Sequence, residues 1–249
     1  MQPAELRTFV HKPIPMAYGV LYLIPTPLGE DGLHVLPDYW RPVLHRLDYL
    51  IAERAKTARR FIKSTGPERP IHVLHVEELN KRTPPGEIDR LLQPLRDGHD
   101  VGLMSEAGCP GVADPGSEVV ARAHRLGIRV IPLVGPSSIL LALMASGMNG
   151  QGFAFVGYLP AKQPALGKEI LRLEAAARRH KSTQLFIETP YRNRTLIEQL
   201  LRTLQPATRL GIAADLTLPT EYIRTRTVAQ WRETPPPDLH KRPAIFLIG

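Results

Sequence analysis

The chain has 249 residues, of which 43% are hydrophobic and 22% charged, with 32 Lys and Arg against 24 Asp and Glu for a formal charge of +8. That length suits one large α/β domain or two ordinary ones, and the composition excludes wholesale disorder. The lone cysteine, Cys109, excludes an intrachain disulfide and any thiolate zinc or iron–sulfur cluster, while the basic balance suits a protein that meets polyanions.

Residues 1–18 hold Glu5, Pro3, Pro13 and Pro15 but no apolar run of signal-peptide length. No later stretch reaches the roughly 20 apolar residues of a spanning helix, so the expected location is the cytoplasm, with no membrane partner. Short apolar runs at 20–24, 49–52, 71–76, 101–104 and 129–133 read as buried strands. Between them, Ile88, Leu91, Leu92 and Leu95 mark a helix over 87–95. Strands alternating with helices predict an α/β fold with a mostly parallel sheet covered on both faces. A Pro/Gly/Ser loop over 132–138 divides the chain, giving expected domains of 18–134 and 135–249. The second half opens with a small-residue helix over 138–146. It continues with strands at 153–157, 184–187, 210–214, 221–227 and 244–248 and helices at 166–179 and 194–204, including antiparallel pairs near its end.

Ligands of open α/β sheets lie beyond the carboxyl ends of the strands, which directs attention to three loops. Pro25-Thr26-Pro27-Leu28-Gly29 lacks the free N–H groups of a phosphate cradle and suits a rigid wall. The loop from Ser105 to Gly116 combines small residues with Glu106 and Asp114, a surface suited to a cationic ligand bearing hydroxyl and amine groups. It reads equally well as a long turn leading into a helix. Val134-Gly135-Pro136-Ser137-Ser138 joins the two halves, and a serine there can cap the next helix while facing a cleft.

Pro-Thr-Pro-Leu-Gly at 25–29, Ser-Glu-Ala-Gly-Cys-Pro at 105–110, Asp-Pro-Gly at 114–116 and Gly-Pro-Ser-Ser at 135–138 together resemble the tetrapyrrole-methylase superfamily. The likeness continues through Gly157-Tyr158-Leu159-Pro160, Phe186-Ile187-Glu188-Thr189-Pro190-Tyr191-Arg192 and Ala213-Ala214-Asp215, so that it spans about 19–248. Within the superfamily it looks like the branch that methylates ribose 2′-hydroxyls of small-subunit ribosomal RNA. The resemblance implies two α/β domains, a homodimer, no metal, and S-adenosylmethionine held in the interdomain cleft, leaving as S-adenosylhomocysteine. Carried over by motif, Pro25 lines the cofactor pocket; Ser105, Glu106, Ala107, Gly108 and Asp114 meet its methionine and ribose. Pro136, Ser137 and Ser138 approach it from the linker. Ile187, Thr189, Ala213 and Ala214 surround the adenine, and Pro243 and Ala244 close that side.

The chain departs from this pattern in two places. Glu30 stands where the ribosomal RNA enzymes usually have asparagine, putting negative charge with Asp31 beside the cleft, and the family's Glu-Asp-Thr-Arg becomes Glu53-Arg54-Ala55-Lys56. Against typical members of the branch it resembles, the expectation is of a shorter chain without their C-terminal extension. Arg54, Lys56, Arg59, Arg60 and Lys63 could track a phosphate backbone or form an ordinary solvated helix face. For the chemistry, Glu53 and Glu188 are candidate bases, and Arg192, Arg54 or Lys56 could polarise the hydroxyl or hold a phosphate. Tyr191 with Arg192 suits either nucleotide stacking or the pocket rim. His72 and His75, on opposite faces of one strand, make no metal site, and Cys109 reads as a packing residue. Two further readings remain open: a methyltransferase acting on a tetrapyrrole-like small molecule or a protein, and a catalytically silent RNA-binding or ribosome-assembly protein of the same fold.

Overall fold

The computed structural model describes residues 18–30, 32–80, 82–84 and 86–249. The N-terminal reading, apart from Tyr18, and Asp31 lie outside them. Two five-stranded sheets form the molecule. The first contains β1 (Leu21–Ile24), β2 (Tyr49–Ala52), β3 (His75–Glu78), β4 (Val101–Met104) and β5 (Val130–Pro132), in the order β3-β2-β4-β1-β5 with every pairing parallel. The second contains β6 (Phe153–Tyr158), β7 (Thr183–Ile187), β8 (Arg209–Ala214), β9 (Tyr222–Thr227) and β10 (Ala244–Ile248), in the order β6-β7-β10-β8-β9. There only β6 and β7 run parallel; β10 is antiparallel to both neighbours, and β9 to β8.

Nine helices cover these sheets among the described residues: α1 (Trp40–Arg46), α2 (Ala55–Ser64), α3 (Glu87–Leu91), α4 (Gln93–Arg96), α5 (Gly116–Arg125), α6 (Ser138–Ser146), α7 (Ala165–His180), α8 (Asn193–Thr203) and α9 (Val228–Glu233). Strand periodicity decides which helix meets which residue, because alternate side chains face opposite sides. Leu21, Ile51, Val101 and Leu103 pack with α3, α4 and α5, whereas Ile24, Leu50, Ala52 and Met104 pack with α1 and α2. In the second sheet Phe186, Ile212, Phe246 and Ile248 face α7, α8 and α9, while Leu185, Ala213, Ile245 and Leu247 face α6. Both central strands, β4 and β10, are buried at every residue, as a strand covered on two faces must be. No helix among the described residues is long and apolar enough to cross a membrane.

Two sequence expectations shift. The strand expected at 71–76 begins only at His75, because Pro70 leads into a 3-10 turn over Ile71–Val73. His72 and His75 therefore do not share a strand; His75 instead stacks on Tyr49 with ring centroids 5.0 Å apart. The helix expected at 87–95 is two short helices. Pro94 has no N–H to continue the ladder, and α4 restarts with that proline in its first turn.

Candidate active site

Because β1 and β4 are parallel neighbours, the loops leaving their carboxyl ends emerge side by side. Thr26 and Gly108 weld them: the Thr26 N–H donates to the Gly108 carbonyl at 3.0 Å and the Gly108 N–H returns the bond at 3.1 Å. The Thr26 hydroxyl adds a 3.3 Å bond to the Ser105 carbonyl. Gly108 sits at φ +76°, and a Cβ there would lie 3.3 Å from both Leu28 and the Pro136 carbonyl. A glycine thus lets three segments meet at one point.

The linker is fixed in the same way. The Cys109 thiol donates to the Pro136 carbonyl at 3.4 Å, and a Cβ on Gly135 would fall 2.0 Å from Pro25 Cβ. Ser137 caps α6, accepting from the Leu140 N–H. Pro25 and Pro136 therefore act as buttresses behind the loops; neither lines the cleft.

Between the sheets lies a cleft of about 380 Å³. Leu28, Glu53, the segment 105–109 and Asp114 wall it from the first half, and Ser137, Ser138 and Ile139 from the linker. Ile187, Glu188, Ala213, Pro243 and Ala244 wall it from the second half. Of the residues singled out in the sequence, Ala214 faces the other way, fully buried against α7 and α8, because it alternates with Ala213. Thr189 is exposed and Arg192 half-buried, and neither forms part of the wall.

The polar groups differ in how they are engaged. Asp114 Oδ1 accepts from the N–H groups of Gly111 at 2.8 Å and Gly116 at 2.7 Å, while its Oδ2 is buried without a hydrogen-bond partner. Burial raises the Asp114 carboxyl above its ordinary value, outweighing the two backbone donors that favour its charge. Glu188 is almost wholly occupied by its own loop. Its Oε1 accepts from the Thr189 N–H at 2.7 Å, and its Oε2 lies 3.2 Å from Arg192 in an ion pair too oblique for a hydrogen bond. Arg192 also donates to the Ala161 carbonyl at 2.8 Å. The Ser105 hydroxyl turns inward to the Ala107 carbonyl at 3.2 Å.

Sequence reasoning gave no role to Asp215, Leu216, Leu218, Phe155 or Tyr158, all of which line the cleft. Asp215 lay in a quoted motif. It sits at φ +50° and accepts from Arg242 Nε at 2.7 Å and the Thr220 hydroxyl at 2.8 Å. Its N–H donates to the Pro243 carbonyl at 3.0 Å, which pins the loop after β8 against the approach to β10. Among the described residues, no three His, Cys, Asp or Glu side chains come together as a metal site.

Two α/β halves enclosing a cleft at strand carboxyl ends match a known class: residues 39–231 fit the family of Tetrapyrrole (Corrin/Porphyrin) Methylases, and the chain belongs to it. It is a methyltransferase. The protein is similar to the Ribosomal RNA small subunit methyltransferase I of Pseudomonas aeruginosa, 33% identical over 215 residues, covering 86% of this chain and 72% of the relative. The protein of that name from Vibrio cholerae is 28% identical over 220 residues, covering 88% and 73%. Among solved structures, the methyltransferase CobJ superposes with a TM-score of 0.62 at 18% identity, over 93% of this chain and 94% of that one. Uroporphyrin-III-C-methyltransferase from Thermus thermophilus gives 0.52 at 22%, over 93% and 92%. At those identities the two structures establish the fold.

Proposed function

We propose that the protein methylates a ribose 2′-hydroxyl of small-subunit ribosomal RNA with S-adenosylmethionine, working in the cytoplasm as a homodimer. The observation that carries the substrate is the likeness, over most of the chain, to relatives that bear the ribosomal RNA methyltransferase name. The cofactor fits on the chemistry of the wall. A half-desolvated carboxylate with one oxygen unpartnered is complementary to a cationic ligand that brings N–H or O–H donors.

When bound, S-adenosylmethionine supplies an electrophilic methyl group. This chain's residues hold and orient it. Asp114 offers its carboxylate, Ser137 and Ser138 offer hydroxyls from the linker, and Ile187, Ala213 and Ala244 offer an apolar wall for a flat base. Ribose hydroxyls are weak acids, so a base within the cleft aids transfer. Our candidate is Glu53, which lines the cleft just after β2. Glu188 and Arg192 are positioning residues that shape the loop after β7.

The test is transfer of labelled methyl to stripped ribosomal RNA, intact small subunits and an RNA-free extract in parallel. Alkali-stable label at a ribose is expected. Label confined to the RNA-free extract would replace the substrate class, and none anywhere would favour the silent RNA-binding reading. In the active assay Glu53→Gln is expected to lower kcat about 100-fold, in line with general-base contributions. Glu188→Gln should chiefly weaken cofactor binding.

A further inference from the structure

A second cavity of about 380 Å³ lies beside the cleft, between the loop after β1 and helix α2, and shares Leu28, Ser105 and Glu106 with it. Its volume is in the range of pockets that take one small ligand, about 300–1,000 Å³, and too small for a duplex. Thr57, Phe61 and Ser64 recur at spacings of four and three along α2 and form its helical wall. Phe61, stacked against Trp40 with centroids 5.8 Å apart, adds an apolar surface flanked by hydroxyls.

The rim is charged. Lys56, Arg60 and Lys63, all exposed, fall at i, i+4 and i+7 and make a stripe about 10 Å long beside that wall. Arg60 Nη2 lies 3.0 Å from Glu30 Oε1, and this ion pair spans the cavity from helix to loop. The two side chains are 69% and 81% exposed, so water screens the pair and it is easily traded for another partner. Glu30 would repel a phosphate brought to this rim unless Arg60 intervened.

We infer that this cavity receives a single-stranded nucleotide adjoining the acceptor ribose, and that Arg60 exchanges the Glu30 carboxylate for an RNA phosphate when the RNA docks. The inference rests on the RNA reading of the cleft. The ion pair is a placeholder: it keeps the guanidinium extended over the cavity mouth and lets go to a doubly coordinating phosphate. This accounts for an acidic residue beside a polyanion site, since Glu30 sets a threshold that a weakly bound anion does not overcome.

The experiment measures methyl transfer to stripped small-subunit ribosomal RNA across a salt series, with S-adenosylmethionine affinity measured separately as the control for an intact cleft. Arg60→Gln is expected to raise KM for RNA about tenfold and to reduce the slope of log affinity against log salt by about one. Glu30→Gln is expected to lower KM severalfold, because repulsion is lost and Arg60 is released. Arg60→Lys should restore part of the loss. If the wild type methylates RNA but Arg60→Gln leaves KM and slope unchanged, this inference falls while the RNA reading stands. If Glu30→Gln raises KM as Arg60→Gln does, the pair is structural and the exchange is wrong. No transfer to RNA by the wild type would overturn the RNA reading and this inference together.

Discussion

Asp114 shows how much one side chain can carry at this site. Its Oδ1 closes the loop through two backbone donors, and its Oδ2 is buried without a hydrogen-bond partner. Because burial raises its pKa, the native state takes up a proton more readily than the unfolded chain. The associated stability is present below the unfolded value and is lost as pH rises through the folded value. Ligand binding runs the other way, since a cationic ligand needs the charged carboxylate. Cofactor affinity measured by calorimetry should therefore fall as pH drops from neutral through the raised titration of Asp114. Asp114→Asn should bind weakly with that limb flattened, and a limb that survived in the variant would assign it elsewhere. The sequence singled this residue out as an acidic group in a glycine-rich loop and through its family motif; its closing of that loop emerges only in the structure. The engagement of Glu188 by Thr189 and Arg192 was not legible, since it depends on how a short 3-10 turn folds the loop back.

At the level of elements, the loops were visible as loops, but their mutual support was not. Pro25 and Gly135 come from distant parts of the chain and meet so closely that a methyl group would not fit between them. Gly135→Ala is expected to cost about 1–3 kcal/mol, the usual range for overpacking, and to weaken cofactor binding by pushing the linker off the loop after β1. Gly150→Ala, with nothing within 4 Å of the added Cβ, should leave the melting temperature nearly unchanged. Thermal unfolding of the pair separates a packing effect from a general penalty for replacing glycine; equal losses would remove the buttress argument. Periodicity located nearly all the strands because most are apolar runs bounded by polar or turn residues, and β9 alternates in the manner of a half-exposed strand. It failed at 71–76, where Pro70 imposes a 3-10 turn on an apolar segment, and at 87–95, where Pro94 interrupts a regular helical stripe. In both places local backbone chemistry overrode the hydrophobic pattern.

For the whole molecule, composition pointed to a folded chain, the alternation of strands and helices to an α/β fold and net charge to a polyanion, yet none of these located the groove that would take one. An exposed apolar stripe is a second feature of that scale. Leu140 and Met144, at i and i+4 on α6, are 50% and 79% exposed. We propose that a second copy, if the chain dimerises as its family resemblance implies, meets this face. Sedimentation should give twice the 27.8 kDa chain mass, and Leu140→Lys with Met144→Glu should return the chain mass with the melting profile retained. A monomeric wild type would remove the dimer from the proposal.

The two sheets also close at different moments of chain growth. The first is complete once β5 exists, since its strands all precede residue 133. The second is assembled around β10, which follows every other strand of that sheet and is inserted between β7 and β8. Until residues 244–248 arrive, the other strands of that sheet are split into two pairs with β7 and β8 bare along their inner edges, a template for pairing with another chain. A chain shortened before β10 is therefore expected to keep its first sheet while leaving β7 and β8 with open inner edges.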